Sequence, residues 1–531
     1  MAEQPAINFP EWTEYRKKNG LDPLGMQNTS VNLYQDLVPG IGNVTLRMRY
    51  YGLYAWLCKT YAQRDGDTNP LTWKRVIRRA EALYALVAYR QSTKTGIPSA
   101  GAAGIDWAKR VLDESKNDVI DFAADAEPGS ETYYFAQAWG VFGLAYRSQL
   151  FEIKIFDDSN DHVLPIPSEI GDRLADAFAN SIGPAASLYY DVIERGVVTK
   201  AELDTLSIVG VSEISKQSPE RALYQNLLLT PPGEEDAKAH ARRMTMLLVL
   251  RTAALLGRAP KADEIRWTIF AGRDQAGKPL EIDSAELQAH RHRWWVYHAN
   301  DLCHIALETL LKFALDVLAE FPAGIPLSRL IPLISQRIVG AAETVPSSWN
   351  ALSASISLAA NSYSSDPGTE WSLCEDIMRH AGRSDKHVCP PETAWKAIVL
   401  LATIAKRVRE EGRDIASVLG DPRFSNEGFR SLLTETGFLE RYGDQPFEEF
   451  LGLLLEERVV RRHLWVALQK LRRNDYTFLI EADDGKLRLR DKDGPVFTNP
   501  RLVPAVNFLR DIHLLGDKGP TDYGIAAAGL S

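Results

Sequence analysis

Four of the chain's ten histidines fall in one stretch, HRHRWWVYHANDLCHIALE, from His290 to Glu308. On a continuous helix, at about 100° per residue, Arg291, His298, Asp301, His304 and Glu308 share roughly 140° of arc. Trp295, Ala299, Leu302, Ala306, Leu310 and Phe313 form the apolar stripe on the other side. A histidine exchanges a proton near neutral pH, and an arginine neutralises a phosphate. Arg291 and His298 are therefore a candidate catalytic pair for metal-independent phosphodiester cleavage. Two other readings stay open. The ladder can tie helices together from inside, or His298, Asp301 and His304 can hold a metal at a spacing looser than that of HExxH.

The second constellation is basic and C-terminal. A helix ending at Arg473 carries Arg458, Arg461, Arg462, His463, Lys470, Arg472 and Arg473. Strand alternation then puts Lys486, Arg488 and Arg490 on one face. A helix beside a basic ribbon can straddle a groove and neutralise phosphates. Arg461, Arg462, Arg472, Arg473, Lys486, Arg488 and Arg490 are thus the candidate surface for DNA or RNA. Asp483, Asp484, Asp491 and Asp493 lie close by and dilute its field, so a solvated polar face is the competing reading. Near the N-terminus, Arg47-Met48-Arg49-Tyr50-Tyr51 can stack on bases, but aromatics at helical spacing more often form core under a neighbouring arginine.

Other motifs are thinner. Cys374, His380, His387 and Cys389 have zinc-type chemistry at a spacing that matches no zinc module. Glu152-x-Lys154 has the form of the end of a PD-(D/E)xK nuclease motif, with no convincing upstream aspartate. The loop GIPSAGAAG lacks the Gly-Lys-Ser/Thr ending of a phosphate-binding loop, and neither a Gly-x-Ser-x-Gly elbow nor a dinucleotide fingerprint occurs. No cofactor and no metal is expected.

The elements that must position these residues are mostly helices. A Pro39-Gly40 turn leads into a helix over about 45–63, and a second covers 72–91, where Lys74/Arg78 and Arg75/Arg79 each share a face. Leu150–Phe156 reads as a strand, followed by a polar turn, a short strand near Val163–Ile166 and a helix capped by Ser168. Helices follow over Pro219–Leu229, Glu234–Leu256, Ala285–Leu318 with a break near Arg293, Leu327–Val339, Ser347–Ala359, Glu370–Ala381 and Glu392–Glu410. Further helices are expected at Asp414–Leu419, Asn426–Thr436, Phe447–Arg473 and Pro500–His513. Asp484-Gly485 joins a hairpin over Tyr476–Arg490. The expected fold is mainly α, a multi-domain helical protein with two small β-hairpins in winged-helix-like settings. Its expected domains are residues 1–215, 216–410 and 411–531.

With 531 residues the chain can bury large cores without disulfides or metals. The net charge of −9 argues against a surface that is basic all over, though not against a local patch. Four scattered cysteines fit a reducing cytoplasm, the N-terminus lacks a signal-peptide layout, and no apolar run reaches membrane-spanning length.

Two resemblances bear on function. Arg291 and His298 are spaced similarly to the Arg-x(4–6)-His motif of HEPN-type ribonucleases, in which Arg and His act on the phosphodiester across a dimer. The run Leu37-Val38-Pro39-Gly40, then Thr45-Leu46-Arg47-Met48-Arg49-Tyr50-Tyr51 and Trp56, resembles an uncharacterised bacterial family, a domain of unknown function with a Pro-Gly turn and a Thr-x-Arg-x-Arg-Tyr motif. That family occurs in antiphage-defence neighbourhoods. The resemblance covers about a third of the chain and implies a defence role without an activity. The resulting expectation is a non-catalytic subunit that binds nucleic acid or partner subunits in a bacterial multi-protein system. A HEPN-like ribonuclease and a purely protein-binding scaffold are the alternatives.

Overall fold

The computed structural model describes residues 22–64, 67–96, 99–157, 164–231, 233, 235–383, 387–411, 415–421, 429–473 and 475–530. The chain is mainly α, with three small two-stranded sheets among the described residues. It divides into two compact units. The larger takes Ser30–Ala299, Ala359–Trp371 and Thr498–Ser531; the smaller takes the described residues up to Thr29, Asn300–Leu358 and Ser372–Phe497. The sequence boundaries at 215/216 and 410/411 fall inside a unit, because the chain returns to each unit after leaving it. The helix Ala285–Leu318 runs without a break at Arg293 and contributes residues to both units.

In the larger unit, the turn before the first aromatic helix is closed by Thr45, whose hydroxyl donates to the Gly42 carbonyl and accepts from the Gly42 N–H. The helix therefore starts at Arg49 and runs to Arg64, packed on Glu169–Ile182. Its Tyr50, Tyr51 and Tyr54 are fully buried, and Tyr50 stacks on Tyr146 at 4.8 Å, so the aromatic cluster is core. The next helix, Pro70–Thr95, begins earlier than 72: Asn69 caps the Leu71 N–H, and Pro70 supplies a fixed φ at the first position. Ser168, Ser218 and Asp236 each cap a helix through an N–H three residues on.

The strand expected at Leu150–Phe156 does not form. Leu150–Glu152 closes the helix Arg147–Glu152, which continues a π-helical turn over Phe142–Tyr146. Buried Leu150 and Ile153 sit at helical spacing, and Lys154, at φ +63°, ends the run. Only one antiparallel bridge, Phe156 to Pro167, replaces the expected ladder; the turn and Val163 lie outside the described residues. The sheet of this region instead pairs Val119–Asp121 with Val197–Thr199.

In the smaller unit, Leu327–Gly340 packs on Pro391–Glu410 and Phe447–Leu454. The last of these continues through a π-helical turn, Leu455–Val460, into Arg461–Leu471. The predicted C-terminal hairpin forms with Ile480–Asp483 against Lys486–Leu489. Asp484 and Gly485 both take positive φ, as a two-residue hairpin turn of matching twist requires. The free edge of the second strand exchanges two hydrogen bonds with Ile325. The helix after the hairpin, Leu502–Asp511, belongs to the larger unit.

The larger unit rests on a dry ion pair. Arg49 donates from Nε to Glu220 Oε1 at 3.1 Å and from Nη2 to Oε2 at 3.2 Å, with both side chains inaccessible. Its Nη1 donates to the carbonyls of Ile208 and Gly210. Ser181 and Tyr224 donate to Glu220 as well. Removing one member leaves a charge without compensation in the core, which costs about 3–5 kcal/mol. Glu220→Ala should lower the unfolding free energy by that amount in chemical denaturation; a loss below about 1 kcal/mol refutes this account of the core.

Candidate functional site

Arg291 and His298 are core residues of the larger unit. Arg291 is 8% exposed, donates from Nη1 to the Ile269 carbonyl at 3.1 Å and from Nε to Gln288. It lies against Gly272, where a Cβ would stand 2.8 Å from Nη1. His298 is 1% exposed, with its ring 4.4 Å from that of Trp267 and 4.8 Å from that of Phe270. Burial, with Arg266 nearby, drives its pKa well below the ordinary value, so the ring is neutral. Both members of the expected catalytic pair are thus enclosed by the fold, away from the surface a phosphodiester would approach.

Asp301, His304 and Glu308 do come together, in the smaller unit. His304 Nδ1 lies 3.1 Å from Asp301 Oδ1, and Nε2 lies 3.2 Å from Glu308 Oε2. Gln27 donates to the other Glu308 oxygen. Burial alone would lower the pKa of His304, but Glu308 and Asp301 override it and raise it well above the ordinary value. The ring thus lies buried between two acidic side chains that favour its protonated form. Among the described residues, no set of three or more His, Cys, Asp or Glu side chains is arranged to hold a metal ion. His380 and His387 turn to the backbone carbonyls of Asp376 and Gly382, and Cys389 is buried, its thiol pushed up to about 12.

The basic ridge is largely dismantled. Arg461 pairs with Glu456 at 2.5 Å and Glu457 at 3.6 Å. Arg488 pairs with Asp483 at 3.1 Å, and Arg490 with Glu481 at 3.7 Å. The register permits this: Glu481 lies opposite Arg488 and Asp483 opposite Lys486, and each carboxylate pairs with the cation two residues beyond the one it faces. Arg462 points inward, donating from Nε to the Leu24 carbonyl at 2.8 Å and stacking over Trp465. Burial, reinforced by Arg430, brings its pKa down to about 10. His463 and Lys470 bind the carbonyls of Pro23 and Asp22. Of the seven candidate cations, Arg472, Arg473 and Lys486 keep exposed side chains with no carboxylate in ion-pairing distance among the described residues.

Glu152 and Lys154 line a cleft of about 700 Å³ with Asp236 and Lys238. Lys154 pairs with Asp236 and Glu152 with Lys238, while Glu152 also accepts the Gly40 N–H. They occupy a helix end and a turn rather than a nuclease strand.

On Arg461–Leu471, Trp465, Leu468 and Leu471 are 40%, 44% and 41% exposed. Spaced by three, they form one apolar stripe that ends at Arg472 and Arg473. Helical apolar periodicity beyond the buried set is the sequence signal that marks it. No family model, no curated protein and no solved structure matches this chain. No described helix is long and apolar enough to cross a membrane.

Two outcomes follow. Arg462→Ala should cost about 2–3 kcal/mol, by orphaning a buried carbonyl and losing packing, whereas Arg461→Ala should change stability by less than about 1 kcal/mol; equal effects in parallel urea titrations contradict the assigned orientations. The raised pKa of His304 means the folded state holds its proton where the unfolded chain releases it. The stability it contributes is complete below the ordinary histidine value and is lost as pH rises through the raised folded value. His304→Gln should therefore flatten the fall of wild-type stability on the alkaline side of neutrality, and parallel profiles contradict the assignment.

Proposed function

We propose that this chain is a non-catalytic subunit that holds a partner protein on the helix Arg461–Leu471. The observation carrying this reading is the exposed stripe of Trp465, Leu468 and Leu471, running into the unpaired cations Arg472 and Arg473. Apolar side chains aligned on one helix face and rimmed by charge suit a docked helix, and an exposed tryptophan is a frequent energetic anchor. The partner that fits presents an apolar helical face with carboxylates placed to meet Arg472 and Arg473. The burial of Arg291 and His298, and the compensation of Arg461, Arg488 and Arg490, favour this role over a ribonuclease or a nucleic-acid ridge. The likeness of the Thr45–Tyr50 motif to the uncharacterised bacterial family supports an antiphage multi-protein system as the setting. Four buried free cysteines suit a cytoplasmic location.

The test replaces Leu468 with p-benzoylphenylalanine in the native host, identifies the cross-linked protein, and titrates that purified protein against the full chain. Leu468→Glu should weaken binding at least about tenfold, the scale of one buried leucine, while Val44→Glu, at an exposed position of the larger unit, should not. Unchanged affinity of Leu468→Glu, cross-links only to a second copy of this chain, or recovery of nucleic acid in place of protein each overturns the proposal.

A further inference from the structure

A second feature lies in the larger unit, at the start of the helix Pro70–Thr95. A cleft of about 460 Å³ opens there, lined by Thr72, Lys74, Arg75, Arg78, Glu127 and Tyr133 among others. Its charge is unbalanced: three cations face one carboxylate, and Glu127 is already engaged by Arg79 at 3.1 Å.

Arg78 is the informative member. It is only 4% exposed, yet no carboxylate among the described residues lies in ion-pairing distance of it. Nε donates to the Ala126 carbonyl at 2.7 Å and Nη1 to the Ala138 carbonyl at 3.0 Å. Two backbone oxygens thus fix the plane of the guanidinium without cancelling its charge, and nothing among the described residues accepts from Nη2. The nearest buried acid, Glu81, has its oxygens occupied by Tyr54 and by the N–H groups of Val141 and Phe142. Burial pushes Glu81 up to about 7, with those donors and Arg78 pulling it back.

The other two cations are placed by the helix. Lys74 stands one turn before Arg78 on the same face, its ammonium held over the Trp139 ring at 4.8 Å. Arg75 is exposed beside it. The first turn of this 26-residue helix carries no acidic residue, so its positive end adds to the same field. Asp67, just before the helix, accepts from the Asn69 N–H and Thr72 and also feels the Arg75 charge, so Arg75 is partly offset. Tyr133 and the exposed Leu71 give the cleft an aromatic and an apolar wall.

We infer that this cleft binds a small phosphate monoester, with Arg78 as the pre-oriented receptor, Lys74 and Arg75 closing on the phosphate, and Tyr133 beside the esterified group. A fixed guanidinium with flanking donors recognises phosphate without reorganisation, and an aromatic wall suits a planar substituent such as a nucleobase. Inorganic phosphate and a nucleoside monophosphate share the chemistry and are separated by titration.

Isothermal titration of the full chain with inorganic phosphate, AMP and adenosine tests this. AMP should bind saturably, inorganic phosphate equally or more weakly, and adenosine not at all. The double variant Lys74→Gln/Arg75→Gln, altering two side chains outside the core, should weaken AMP at least tenfold with an unchanged melting midpoint. Raising the salt should weaken wild-type binding. Absence of saturable binding by both phosphate and AMP, binding of adenosine as tight as AMP, or a double variant that binds like wild type overturns the inference. The wild-type titrations decide the question even where a variant folds poorly.

Discussion

The larger unit depends on charge that is almost entirely shielded from water. Arg47 and Arg49 leave one turn of chain and anchor distant segments: Arg49 ties Glu220 to the carbonyls of Ile208 and Gly210, and Arg47 grips Asp511 from Nε while its Nη groups reach Ala100, Val211 and Ser212. The Asp511 carboxylate also accepts the Met48 N–H, which fixes the start of the helix. Desolvating such groups is expensive, and only near-complete hydrogen bonding offsets it. The Thr-x-Arg-x-Arg-Tyr run is consequently a core-building device: Thr45 closes the turn, the arginines clamp three segments, and Tyr51 returns a hydrogen bond to the Gly40 carbonyl.

The same logic runs through the smaller unit. His304 sits between Asp301 and Glu308, and Lys312 pairs with Asp316, whose other oxygen accepts the Cys389 N–H. Lys492 closes on Asp316 as well. Opposite charges at these distances offset part of the cost of burying the groups. His304 and Lys312 pair along their own helix, while Glu308 and Asp316 tie that helix to other segments through Gln27, Cys389 and Lys492.

How much of this was legible depended on the range over which a signal acts. Local rules worked: Ser168, Ser218 and the Asp484-Gly485 turn specify structure through bonds a few residues long. Period was less decisive. Leu150, Ile153, Ile155 and Phe156 satisfy a strand template and a helix template equally over so few residues, and the packing of Leu150 and Ile153 selected the helix. Long-range pairing was invisible, because Val119–Asp121 and Val197–Thr199 are three residues each and find one another only through tertiary context. The helix Ala262–Ala271 was missed although Gly272 marks its end; its lysine cap position lacks the usual Ser, Thr, Asp or Asn. For the candidate sites, residue type was legible and orientation was not. Arg461 and Arg462 are neighbours in sequence, yet one meets solvent and Glu456 while the other is folded onto Leu24.

Once the compensated charges are set aside, those left uncompensated become informative. A chain of net charge −9 repels a long polyanion at a distance, and salt limits any local cation's reach to about 8 Å. Groups such as Arg472 and Arg473, or Lys74, Arg75 and Arg78, have a short reach under such screening. They act over contact distances, where a single carboxylate or phosphate already matches them. An exposed apolar stripe beside two arginines, and a concave cleft around three cations, are the two geometries in which such short-range charge adds specificity. In both, the neighbouring surface supplies apolar or aromatic contact, and the cations fix orientation rather than provide bulk attraction. The physical division in this molecule lies between ionised groups that the fold consumes in its interior and those it leaves on its surface.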